Sequence, residues 1–91
     1  MARIHVERSH QLGKAAVREK AEQLAERLAR EYDVRYQWRG DTLEFSRSGA
    51  DGRIEVSDDR VNVEVKLGLL LSAMGGSVKR EIEKALDEDL A

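Results

Sequence analysis

The chain has 91 residues, with 16 Lys and Arg against 18 Asp and Glu, two His, no Cys and no Pro, and a formal net charge of −2. That length fits one domain over residues 1–91 that buries only roughly 60–65% of the surface an unfolded chain exposes, so support from a partner or a homodimer is an early expectation. The missing cysteine removes disulfide frameworks, thiolate metal sites and thiol nucleophiles, and the slightly acidic balance gives no general attraction to nucleic-acid phosphates.

At the N-terminus Ile4 and Val6 alternate with Arg3, His5 and Glu7, the two-residue period of a half-buried strand. No run approaches the about 20 apolar residues of a membrane span, so a cytoplasmic chain with no membrane span is expected. From about Gln11 to Tyr32 the period turns helical, with Leu12, Ala16 or Val17, Ala21, Leu24, Ala25, Leu28 and Tyr32 on one stripe. Ser9 or His10 is available to cap it, and Gly13 falls in its first turn.

Four short strands follow. Val34, Tyr36 and Trp38 share a face, Gly40-Asp41 makes a two-residue turn, and Leu43 and Phe45 return. Counting outward from that turn sets Trp38 opposite Leu43 and Tyr36 opposite Phe45. From Asp58-Asp59 the same count sets Val56 opposite Val61, Ile54 opposite Val63 and Arg53 opposite Glu64. Ser48-Gly49-Ala50-Asp51-Gly52 reads as the middle turn. A last helix carries Val78, Ile82, Ala85, Leu86 and Leu90, with Ser77 as its N-cap and a break at Gly75-Gly76, because two interior glycines cost roughly 2 kcal/mol. The expectation is an α+β domain in two layers, β-α-β-β-β-β-α. Its curved, mostly antiparallel sheet has one apolar face covered by a long N-terminal helix and a C-terminal helix, and one charged face.

Little in this pattern carries chemistry. His5 and His10 are too few for a zinc cluster and read as surface or capping residues. Ser9-His10 adjacency makes no triad. Asp58-Asp59 and Asp87-Glu88-Asp89 read as a solvated turn and a helix end. Gly68, Gly75 and Gly76 lack the lysine of a phosphate loop. Arg35, Arg39, Arg47 and Arg53 near Tyr36 and Trp38 invite a nucleic-acid reading, but alternation points Arg35 and Arg39 away from the aromatics, onto a face shared with Glu44, Glu55 and Glu64. No enzyme, no cofactor, no metal and no nucleic acid is therefore expected.

One stretch stands apart. Residues 67–76, LGLLLSAMGG, are uncharged in a chain where 37% of residues are charged. Leu69, Leu71 and Met74 either plug the open end of the sheet and helix layer or form an exposed patch. In the second case Leu69, Leu70, Leu71 and Met74 would contact a partner, a second copy or a hydrophobic surface.

The segments ARIHVERSHQLG (2–13), YQWRGD (36–41), FSRSG (45–49) and LGLLL (67–71), with Ile82-Glu83 and Leu86-Asp87, resemble the polyhydroxyalkanoic acid system protein family, small proteins of Gram-negative bacteria linked with polyhydroxyalkanoate synthesis and granules. The resemblance covers the whole chain and carries no catalytic signature. It implies an accessory role in the carbon-storage granule system, with association to the granule surface or a granule protein through the apolar patch. Two alternatives stand beside it. One is a small hydrophobic-ligand carrier, because the expected sheet and long terminal helix are reminiscent of Bet v1-like folds. The other is a nucleic-acid-binding regulator.

Overall fold

In the computed structural model, which describes residues 2–69 and 71–90, alternation is converted into strands and the helical stripes into two helices. In chain order these are β1 (Ala2–Ser9), α1 (Lys14–Tyr32), β2 (Arg35–Arg39), β3 (Thr42–Arg47), β4 (Ala50–Val56), β5 (Arg60–Leu67), a single 3₁₀ turn (Ser72–Met74) and α2 (Gly75–Asp89). The strands form one five-stranded antiparallel sheet in the order β1-β5-β4-β3-β2. The first strand therefore lies beside the last, with Ile4 opposite Val65 and Val6 opposite Val63.

The registers follow from the turns. Trp38 pairs with Leu43 and Tyr36 with Phe45, while Val56, Ile54 and Arg53 pair with Val61, Val63 and Glu64. Because directly opposed residues share a face, Ile4, Val6, Leu43, Phe45, Ile54, Val61, Val63 and Val65 all reach the same side, where they are buried. Both helices lie on that side. α1 presents Val17, Leu24 and Leu28, and α2 presents Ile82, Ala85 and Leu86. Each large aliphatic residue such as Leu43, Ile54 or Ile82, fully buried here, contributes about 1.5–3 kcal/mol by leaving water.

Four expectations need correction. Neither Ser9 nor His10 caps α1: Ser9 completes β1, and the N-cap is Gly13, whose φ of 85° suits glycine. His10 is instead 6% exposed, its Nε2 bonded to the Ser57 carbonyl (3.0 Å) and its Nδ1 accepting the Leu12 N–H (3.3 Å). The α1 helix accordingly starts at Lys14, later than the apolar stripe suggests.

The middle turn is shorter than predicted. Ala50, Asp51 and Gly52 belong to β4, and Gly52 pairs with Phe45 on one side and Val65 on the other. A Cβ at Gly52 would lie 2.5 Å from the Glu64 carbonyl oxygen and 2.7 Å from Phe45 Cζ. The glycine is there so that the Phe45 ring can lie across the strand.

The break at Gly75-Gly76 does not occur. Both glycines open α2, and Ser77 is its third residue rather than its cap. The 3₁₀ turn feeds straight into the helix, with Met74 N–H donating to the Leu71 carbonyl (2.9 Å) and Gly75 N–H to Ser72. The apolar stripe Leu71, Met74, Val78 and Ile82 packs along one cleft, and its packing outweighs glycine's propensity cost, which is reduced where first-turn N–H groups have no intrahelical partner anyway. This also moves Lys79 and Arg80 beyond the first turn, away from the positive end of the helix dipole.

The last correction concerns Arg47. It shares parity with Leu43 and Phe45 and so stands on the helix-covered face, apart from Arg35, Arg39 and Arg53.

Candidate functional site

The outer face of the sheet is a lattice of opposed charges. Arg39 pairs with Glu44 (2.7 Å), Arg53 with Glu55 (3.1 Å) and Glu64 (3.0 Å), and Arg60 with Glu7 (3.7 Å). His5 joins it through Asn62. The aromatics are on the other side and already engaged: Trp38 Nε1 donates to Glu22 (2.9 Å), and the Arg18 guanidinium lies 4.1 Å from the centre of its ring. Asp41 ties this corner together through Lys14 and Arg18, each at 3.0 Å, and the Lys14 ammonium holds its carboxyl below the ordinary range. The arginines of the outer face thus do not converge with the aromatic rings, and the Trp38 face is already covered by Arg18.

Titratable groups with displaced behaviour gather where α1 ends beside α2. The Tyr32 hydroxyl donates to Glu81 (2.6 Å), and this bond with burial pushes the phenol up to about 12. Glu31 shares the same carboxylate, so its own carboxyl is raised while that of Glu81 is lowered. At the far end Arg8, which also stands on the helix-covered face, reaches Glu83 (3.4 Å) and Asp87 (2.9 Å) on α2. Both groups are clasps between elements. Among the described residues no three His, Cys, Asp or Glu side chains are gathered for a metal ion, and no helix is long and apolar enough to cross a membrane.

The uncharged run behaves differently at each of its residues. Leu69 is 83% exposed at the crest of the loop that follows β5, and Met74 is 42% exposed. Leu71 is half-buried, its side chain resting against the Gly49 backbone. Leu70 lies outside the described residues. The expected plug is therefore divided: Leu69 takes no part in it, while Leu71 and Met74 close the mouth of a cleft. The loop is held in its own turns, with Leu71 N–H on the Gly68 carbonyl (3.1 Å) and Ser72 Oγ on the Leu69 carbonyl (3.0 Å). A bond from Gly68 N–H to the Gly49 carbonyl (2.6 Å) fastens it to the turn between β3 and β4.

Beneath the loop, Leu28 and Tyr32 of α1 face Val78 and Ile82 of α2 across a floor made by Phe45 and Val65. The space so formed is about 50 Å³. That is far below the roughly 300–1,000 Å³ of a preformed small-molecule pocket, so the interior is filled and the carrier reading gains no ready-made cavity. At the rim stands Arg47, which donates to the Tyr32 carbonyl (2.7 Å). Sequence reasoning grouped Arg47 with the outer arginines, although its even spacing from Leu43 and Phe45 was the signal that it belongs here.

No curated protein and no solved structure matches the chain. A family described as Putative polyhydroxyalkanoic acid system protein matches residues 4–90.

Proposed function

The chain belongs to the polyhydroxyalkanoic acid system protein family, and from that premise we propose a non-enzymatic accessory protein that docks on the carbon-storage granule surface through the loop from Leu69 to Met74. The observation that carries the proposal is Leu69. A leucine left 83% exposed, on a loop tied into its own hydrogen-bonded turns, offers apolar area to a surface without first unfolding anything. Burying it against an apolar phase contributes about 1.5–3 kcal/mol, and the half-exposed Met74 beside it extends the patch. One such loop gives weak, reversible association, as expected of a peripheral contact that does not span.

Support for a binding role over a catalytic one comes from the cleft lining, which consists of aliphatic and aromatic side chains with one guanidinium. Such groups hold a ligand or a surface but supply no proton acceptor near neutral pH.

The test is Leu69→Asp, assayed by co-sedimentation with protein-free amorphous polyester particles and by thermal unfolding. Because Leu69 is exposed, stability should stay within about 0.5 kcal/mol of the parent, while sedimentation with the particles is lost. Unchanged co-sedimentation of L69D would remove the loop from the docking role. Binding to native granules but not to stripped particles would transfer the partner from the polyester to a granule protein.

A further inference from the structure

We propose that the cleft beneath the loop is a binding site for one alkyl chain bearing a carboxylate, with Arg47 taking the head group and the space now closed by Leu71 and Met74 taking the tail. This site shares Met74 with the docking patch but not Leu69, which does not line the cleft.

The tail half of the argument is the wall. α1 contributes Leu28, α2 contributes Val78 and Ile82, and the sheet contributes Phe45 and Val65, so a chain entering there meets carbon on every side. The space now free in the cleft, about 50 Å³, is room for little more than a methylene or two. A longer tail must displace something, and Met74, 42% exposed, is the least committed apolar side chain of the lining, with the half-buried Leu71 beside it. The loop that carries them is fastened to the turn between β3 and β4 by the Gly68 to Gly49 bond and to the start of α2 by the Gly75 N–H on the Ser72 carbonyl, and its other backbone bonds are internal turns. Rotation of the Leu71 and Met74 side chains about their own torsions would open the cleft without breaking those bonds, and an alkyl chain would replace the apolar contacts they give up.

The head-group half is Arg47. Arg47 is exposed at the rim of the cleft, on the same side of the sheet as Arg8, whose guanidinium is taken by Glu83 and Asp87. Arg47 has no ion-pair partner among the described residues, and one of its five N–H donors is used, on the Tyr32 carbonyl. The remaining fork stands at the cleft rim, where a carboxylate can be held by two parallel bonds. Charge and shape together select an anionic, single-chain amphiphile over a neutral or cationic one.

The experiment titrates the protein with a series of straight-chain carboxylates from hexanoate to decanoate, following methyl resonances of Leu71, Met74, Val78 and Ile82. Saturable one-to-one binding is expected, tightening about fourfold per added methylene until the cleft is filled, as about 0.8 kcal/mol per buried methylene requires. Arg47→Gln should weaken decanoate about tenfold or more. Ala50→Leu, which puts a larger side chain into the cleft wall, should abolish binding with the fold retained, and decyltrimethylammonium should fail to compete.

No saturable binding, equal decanoate affinity in R47Q, equal binding of the cationic amphiphile, or shifts confined to other parts of the molecule would each overturn the proposal. If R47Q loses its fold along with the Tyr32 bond, A50L and the cationic amphiphile decide the matter alone. Since L69D removes particle docking and leaves the cleft intact, this proposal and the granule reading fail independently.

Discussion

Replacing Gly52 by alanine tests the packing of the sheet at its tightest point. The added Cβ would meet the Glu64 carbonyl oxygen at 2.5 Å and Phe45 Cζ at 2.7 Å, where ordinary contacts lie near 3.5–4 Å. The phenyl ring has some freedom to tilt, but the carbonyl is backbone, so β4 and β5 must separate locally. Overpacking of this kind costs about 1–3 kcal/mol. Against it stands about 0.5–1 kcal/mol gained by restricting the unfolded chain at a former glycine. With a backbone atom as the obstacle the packing cost exceeds that gain, and G52A should be destabilised by about 1–2 kcal/mol. For a domain of this size that lowers the midpoint of thermal unfolding by about 5–15 °C, read by circular dichroism. A midpoint equal to or above the parent's would refute the account of Gly52 as the seat of the Phe45 ring.

The same substitution at Gly76 should have the opposite sign, because that residue is inside α2 and a Cβ there meets nothing within 4 Å; G76A should gain about 0.4–1 kcal/mol, and a loss in urea unfolding would mean that the helix does break at the glycines. Tyr32 should ionise at about 12, so the stability its phenol contributes is complete below its ordinary value near 10 and is lost as pH rises toward 12. Phenolate absorbance measured on the parent and on Tyr32→Phe isolates it, and a parent trace in which Tyr32 titrates at its ordinary value with the fold intact would count against the Glu81 bond. Asp41 works in the reverse sense: its lowered carboxyl contributes stability above its ordinary pKa and loses it as pH falls through the depressed one, so Asp41→Asn should flatten part of the acid limb of urea stability, less so in high salt. His10→Ala removes a ring that is 6% exposed together with its bonds to the Ser57 carbonyl and the Leu12 N–H, and at about 0.5–1.5 kcal/mol per bond should cost about 1–3 kcal/mol by thermal unfolding.

The pairing of strands was legible because two independent signals, the turn residues and the alternation, had to agree: a one-residue slip of Trp38 from Leu43 or of Ile54 from Val63 would send apolar residues to the charged face, and the tight turns exclude a slip of two. What escaped were places where packing overrode local preference. Gly52 reads as a turn residue until one knows that a ring lies over it. Gly75 and Gly76 read as a stop until Leu71, Met74, Val78 and Ile82 are seen along one cleft. Within the candidate site, composition marked the uncharged run but could not apportion it, since Leu69 and Leu71 differ only by which way the chain turns between β5 and the 3₁₀ turn. Arg47 was hidden by company: four arginines close in sequence look like one cluster until parity separates them.

The place of β1 beside β5 has a consequence for how the molecule comes into being. Strands β2 to β5 meet in hairpins and so can pair in order of synthesis, but β1 has no partner until β5 is made, and its arginine clasp waits for α2 as well. Joining the ends of so long a stretch is entropically slow. Closure of the sheet is thus the late event of synthesis, and until it happens Ile4 and Val6 travel as bare apolar side chains on an unpaired strand, the segment through which a nascent copy is most prone to find the wrong chain.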